Sequence, residues 1–499
     1  MSNKKKIFKS VLVYFVGNVL SRSVLFFLIP VYTRFIPAGD MGQYDMAIAL
    51  VTLISAIIFL ELWLGALRFV IDKKEIRDKY VAVYSACGVM LCSIGVYIVL
   101  SVVVGAVFDI QYFVWIALYG LLLCVWNIYN NFARGFGYNK FFMLSGLANT
   151  LVSVAFKIIF LTVLDWNYSA LFIAACIGLL ASIVLLEIRC KVIINFRIKY
   201  FDKQIFRELL RFCWPLAING IAYWTLSSIN RVLVTAFLGT EYTGLLAIAA
   251  RFSMILMLVS TSFQLVWQEL SFARDNKTDS KTGEYYSKAF DLNMRIMMIG
   301  ILVIIPAVFL GLTVFPWFID AEYYGAQILI PLSLIGTTLG IWSIFLGSIF
   351  GGIKKTKMVL ICTIVGAIVN LAVILSLINA LGVIAAPIAL ISGFSANVLV
   401  RTLLLKKAIG LKVKYWYFAV FAPFLAGAVL IYIYLSWVFN LVYLTAVAAL
   451  GIILFRKTLF QLINIIRTKG QPVQKTKEEI LLTTEGEEGY EQQSNPQAN

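Results

Sequence analysis

Five basic residues, Arg22, Lys157, Arg231, Arg251 and Arg295, interrupt apolar stretches long enough to cross a bilayer. A full charge near the bilayer centre costs about 2.5–3.5 kcal/mol on insertion scales, so such residues normally face a bundle interior or a water-filled cavity. Arginine grips phosphate as a bidentate fork and lysine as a point charge. The chemistry on offer is therefore anion binding. Polar neighbours follow at helical spacing. Asn18 lies four residues before Arg22, Ser145, Asn149, Ser153 and Lys157 run four apart, and so do Asn219, Tyr223, Ser227 and Arg231, widened by Asn230. Residues four apart share a helix face, so each run reads as the lining of a cavity or as helix–helix hydrogen bonding. Arg295 follows Asp291 by four and reads first as a local ion pair near an interface. Glu61 is the clear acid inside a span. It either pairs with Arg22 or Arg68 or is a candidate coupling-ion site. Tyr223, Trp224 and Trp267 are candidates for stacking on sugar rings, although packing is the simpler reading of each.

The elements that must position these residues are membrane helices. The chain has 499 residues, 61% hydrophobic and only 13% charged. Soluble domains run about 45–50% apolar and about 25% charged, so this composition requires a bilayer. Hydropathy gives an all-α protein of about fourteen spans, near 10–31, 44–67, 81–107, 113–131, 142–164, 168–188, 212–238, 243–267, 291–315, 327–350, 358–378, 384–404, 416–435 and 440–455. Of the 42 Lys and Arg, thirty-six fall on one side of these spans and one, Arg34, on the other, which predicts both termini in the cytoplasm. Most of the net charge of +17 is thus topological, and nucleic acid is not an expected partner. The basic start leads into a run too long for a secretory signal. There is no histidine and no Cys-x-x-Cys, which excludes a histidine metal site or relay and a Ser-His-Asp triad. No cofactor is expected beyond coupling to a Na+ or H+ gradient.

Shifting the sequence by 217 residues lays Gly135–Lys140 on Gly352–Lys357 and Ser153 on Asn370. A six-span repeat preserves topology, so the halves are expected to be parallel repeats. The expected organisation is a first lobe over 1–211, a second over 212–411, two further spans with a juxtamembrane segment over 412–469, and a disordered acidic tail over 470–499.

Gly17-Asn18-Val19-Leu20-Ser21-Arg22, Ile29-Pro30-Val31-Tyr32-Thr33-Arg34, Gly42-Gln43-Tyr44, Arg134–Lys140 and Trp214-Pro215-Leu216 resemble polysaccharide repeat-unit flippases. These are the Wzx-like O-antigen and capsule transporters of the MOP superfamily, relatives of the MATE exporters. The resemblance implies two six-helix lobes in a MATE-like V around a central cationic cavity, with alternating access. Its cargo would be an undecaprenyl-pyrophosphate-linked oligosaccharide, moved from the inner to the outer leaflet of the bacterial inner membrane for O-antigen, lipopolysaccharide, capsule or exopolysaccharide synthesis. Membrane lipids, a polysaccharide polymerase and chain-length machinery are the implied partners. Where relatives often carry an acid just before the span-7 arginine, this chain has Asn230. The alternatives are a MATE-like drug or metabolite exporter, which needs more acidic sites, and a membrane glycan polymerase or ligase, which needs a large outer loop.

Overall fold

The computed structural model describes residues 23–467 except Lys74, Phe196, Ile198, Lys199, Val259, 261–266, 268–279 and Lys354. Asn18, Arg22 and the 470–499 tail lie outside the described residues. The chain divides into two compact units, 1–443 and 444–499, and the first holds both halves of the repeat. The described residues form helices and no strand, as expected where lipid offers the backbone no hydrogen-bond partner. The helices are α1 (Ile29–Phe35), α2 (Ala38–Ile58), α3 (Leu62–Ile71), α4 (Ile76–Val107), α5 (Phe113–Phe136), α6 (Asn139–Thr162), α7 (Ser169–Cys190), α8 (Lys203–Leu238), α9 (Thr240–Phe252), α10 (Ser280–Val314), α11 (Leu329–Gly352), α12 (Thr356–Leu381), α13 (Ala385–Ile409), α14 (Trp416–Tyr434) and α15 (Trp437–Arg467). Residues 444–467 of α15 fall in the second unit. Eleven described helical stretches are long and apolar enough to cross a membrane, and one of them, Lys357–Ile409, holds both α12 and α13. With the shorter apolar helices, they roughly match the fourteen expected spans, residues 10–22 of the first lying outside the described residues.

Helix ends follow local chemistry. Asp202 starts α8 by accepting from the Gln204 and Ile205 amides, the N-cap pattern. Gly137, at φ 84°, ends α5 in a left-handed turn. Two expectations need correction. The span expected over 44–67 breaks at Leu60 and Glu61, both at positive φ (51° and 54°). These non-glycine residues end α2 and start α3 in a conformation that L side chains adopt only when their surroundings hold them there. The span expected over 212–238 begins at Lys203, so Pro215 sits inside α8 rather than in its first turn.

The repeat is visible in the packing of α6 on α7 and of α12 on α13. A Cβ on Gly178 of α7 would lie 2.7 Å from the Asn149 carbonyl oxygen and 2.9 Å from Ser153 Cβ. A Cβ on Gly393 of α13 would lie 2.9 Å from the Gly366 carbonyl oxygen and 2.7 Å from Asn370 Cβ. Residues 149 and 153 become 366 and 370 under the expected shift. One turn on, Ser182 donates to the Ser145 carbonyl at 2.8 Å, and Asn397 donates to the Cys362 carbonyl at 2.9 Å. The two hairpins thus share one contact scheme, offset by 217 residues in the first helix and 215 in the second.

The halves meet where Asp40, Glu241, Asp320 and Glu322 gather, the acidic end of the molecule. Cβ atoms on Gly42 and Gly244 would lie 1.8 Å from the Thr240 carbonyl oxygen and 2.0 Å from that of Ala38. Helices α2 and α9 therefore cross backbone against backbone, the contact small residues permit in membranes. Beside this crossing the Ala38 amide donates to Glu322 Oε1 at 2.6 Å, and the Tyr323 hydroxyl donates to the Ile36 carbonyl at 2.8 Å. Burial pushes the Tyr323 hydroxyl above its ordinary pKa, keeping it a donor.

Candidate functional site

A cavity of about 590 Å³ opens between the halves, lined by residues of α1, α2, α5 and α6 from the first and of α8, α9, α11 and α13 from the second. Lys157, Arg231 and Arg251 line it, together with Tyr223, Ser227 and Asn230. Three of the five intramembrane cations therefore converge, from α6, α8 and α9.

Their charges are held differently. Arg231 Nε lies 2.5 Å from Asp45 Oδ2 of α2, an ion pair whose side chains are 28% and 17% exposed. Lys157 donates from Nζ to the Tyr32 hydroxyl at 3.3 Å. The Arg251 guanidinium stands over the Tyr32 ring, 4.3 Å from its centroid, and among the described residues its Nε has no hydrogen-bond partner. Among the described residues no carboxylate pairs with Lys157 or Arg251. The cavity thus holds one neutralised cation and two with only neutral partners, a surplus suited to an anion.

The other expected site residues lie elsewhere. Arg295 is outside the cavity lining, 44% exposed, paired with Asp291 at 2.8 Å and donating to the Tyr417 hydroxyl at 2.5 Å. Its exposure and a carboxylate one turn earlier on the same helix make the local ion pair the cheaper arrangement. Asn149 and Ser153 pack against Gly178 rather than line the cavity. A four-residue step overshoots one helical turn by about 40°, so the stripe that ends at Lys157 winds away toward α7. Asn219 does not line the cavity either, and its buried Oδ1 has no hydrogen-bond partner among the described residues. Glu61 sits at the α2–α3 break, where a Cβ on Gly220 would lie 2.6 Å from its Oε1, and neither Arg68 nor any other described cation pairs with it. Of the aromatics, Tyr223 reaches the cavity. Trp224 instead donates to the Ala49 carbonyl at 2.7 Å, and Trp267 stacks on Phe345 at 4.5 Å.

Sequence reasoning missed Asp45, Tyr32 and Arg401. Asp45 was legible as an acid at the edge of an apolar run, Tyr32 only as one residue of a motif. Arg401 was counted with the basic break after the twelfth span, yet it is 3% exposed inside α13. It donates to the Ser343 carbonyl and, at 3.3 Å, to Thr363 Oγ1. The sequence carried no signal for it, since the 217-residue shift lays Arg401 on exposed Val184 and only the 215-residue offset of the second helix puts it in the place of buried Leu186.

Fold and cavity together define the class: a multi-pass membrane protein with the fold of MOP-superfamily transporters. The chain belongs to the polysaccharide biosynthesis protein family, whose family model matches residues 7–268, just over half of its length. The resemblance read from the N-terminal motifs is thereby borne out. No curated protein matches the sequence. Among solved structures, the lipid II flippase MurJ in an inward closed conformation aligns with TM-score 0.67 at 16% identity, covering 90% of this chain and 100% of its own. An inward-facing MATE multidrug resistance transporter of the MOP superfamily aligns at 0.64 with 13% identity, covering 80% and 98%. An outward-facing one aligns at 0.56 with 15% identity, covering 81% and 96%.

Proposed function

We propose that the chain flips an undecaprenyl-pyrophosphate-linked oligosaccharide from the inner to the outer leaflet of the bacterial cytoplasmic membrane by alternating access. The observation that carries this reading is the pair of cations without carboxylate partners, Lys157 and Arg251, facing one cavity from opposite halves. A diphosphate carries the charge to satisfy both, and its oxygens accept charge-assisted bonds. Both termini lie in the cytoplasm and the acidic end faces outward, the orientation supported by the asymmetry of basic residues. Asn18 and Arg22 contribute from the first span, and Glu61 couples transport to a Na+ or H+ gradient. The repeat unit passes to a polymerase and chain-length machinery. A cation exporter fits less well, because the described acid in the cavity, Asp45, is already paired. The test is flipping of a lipid-linked oligosaccharide by the full chain in proteoliposomes. Lys157→Ala and Arg251→Ala should each slow it at least tenfold, a loss matched to one charge-assisted hydrogen bond of about 1.5–3 kcal/mol. Wild-type rates from both variants at equal insertion would sink the assignment.

A further inference from the structure

Tyr32 is the group that Lys157 and Arg251 have in common. It sits on α1, just after Pro30, is 1% exposed and lines the cavity. Its hydroxyl oxygen accepts from Lys157 of α6, while its ring face receives the Arg251 guanidinium of α9. One neutral side chain thus engages a cation from each half of the molecule. Asp45 serves Arg231 differently, with a full opposite charge at 2.5 Å. An incoming anion must compete with that carboxylate, but at Tyr32 it competes only with a phenol oxygen and a ring quadrupole. A phosphate oxygen brings a full opposite charge where the phenol oxygen and ring bring only a dipole and a quadrupole, so phosphate oxygens win that exchange.

We propose that Tyr32 is a stand-in ligand within the cavity. It holds Lys157 and Arg251 in place between transport cycles and yields them to the diphosphate of the cargo. This rests on the proposed cargo. It makes Tyr32 a positioning residue that sets affinity by competing: binding must displace its hydroxyl from Lys157, and release is helped when the hydroxyl returns. Arg231, already committed to Asp45, contributes less to the exchange.

The test is equilibrium binding of inorganic pyrophosphate and of farnesyl pyrophosphate to the purified full chain in lipid nanodiscs. Tyr32→Phe keeps the ring over Arg251 and removes only the competing oxygen. It should tighten binding of both probes about threefold to tenfold, the range for one net hydrogen bond, and slow dissociation. In a Lys157→Gln background, where the hydroxyl has no ammonium to occupy and only Arg251 is left for it to engage, the Tyr32→Phe gain should shrink, an outcome a merely structural role for the hydroxyl does not produce. Wild-type binding with Tyr32→Phe unchanged or weaker overturns this inference alone, as does equal tightening with and without Lys157. Binding of inorganic pyrophosphate as tight as that of the prenyl probe, with the Tyr32→Phe gain intact, supports the stand-in role and counts against a lipid-linked cargo. No binding of either probe by wild-type protein overturns both.

Discussion

At the scale of single residues, the cavity's character depends on one pairing that the spacing of basic residues does not reveal. Asp45 neutralises Arg231, so the surplus positive charge belongs to Lys157 and Arg251. The pair faces a cavity rather than hydrocarbon and is partly exposed, so water screens part of what either partner would lose if left alone. Asp45→Asn is expected to destabilise the chain by about 1–3 kcal/mol, less than the 3–5 kcal/mol typical of breaking a fully buried pair. Most of that loss should return in Asp45→Asn/Arg231→Gln, because the second change removes the stranded charge. Thermal unfolding of the four proteins in one detergent measures the coupling, and simple additivity would show that the two charges do not support each other. Cation positions were legible because any charge inside an apolar run is conspicuous. Which charge was compensated was not, since Asp45 and Arg231 lie 186 positions apart and meet only through the packing of α2 near α8.

At the scale of elements, the repeat explains what hydropathy alone misassigned. The hairpins α6–α7 and α12–α13 use the same glycine contact and the same side-chain-to-carbonyl bond, yet buried Leu186 becomes Arg401 in the second copy. Room for the guanidinium comes from a matching change. Asn130 of α5, which accepts from Ser145 at 3.1 Å, corresponds to Gly347 of α11, where a Cβ would lie 2.5 Å from Arg401 Nη1. Gly347→Asn should therefore lower the unfolding temperature on its own, and Arg401→Leu should rescue it by restoring the pairing of the first half. Arg401→Leu alone strands no carboxylate, so it should cost less than Arg401→Ala, which adds a cavity worth about 2–4 kcal/mol. Failure of the leucine to rescue the asparagine would break the equivalence. Helix number, order and the repeat were readable because lipid imposes long apolar runs and a duplicated topology duplicates their spacing. The break at Leu60 and Glu61 was not readable, since no glycine or proline marks it and the strain is sustained by neighbours distant in sequence.

At the scale of the whole molecule, the halves are held together at the acidic end by backbone as well as side-chain contacts. The Gly42–Gly244 crossing, the Ala38 amide on Glu322 and the Tyr323 hydroxyl on the Ile36 carbonyl all join the halves there. A transporter that admits cargo at one end and releases it at the other must part these contacts once per cycle. Crossed backbones leave no intermediate spacing at which the helices keep their contact while cargo passes, so the seal is either made or broken. A covalent bond across it should therefore stop transport rather than slow it. Gly39 and Thr240 suit such a bond, because a Cβ on Gly39 would lie 3.4 Å from Thr240 Oγ1, the place a cysteine sulfur at 240 can take, and a disulfide holds each Cβ roughly 3 Å from the opposite sulfur. In a background with the seven native cysteines replaced, Gly39→Cys/Thr240→Cys should lose flipping on oxidation and regain it on reduction, while either single variant should be indifferent to redox state. Full flipping by the oxidised double variant, with the disulfide verified by mass spectrometry, would mean that cargo crosses without opening the acidic end and that alternating access through this cavity is the wrong mechanism.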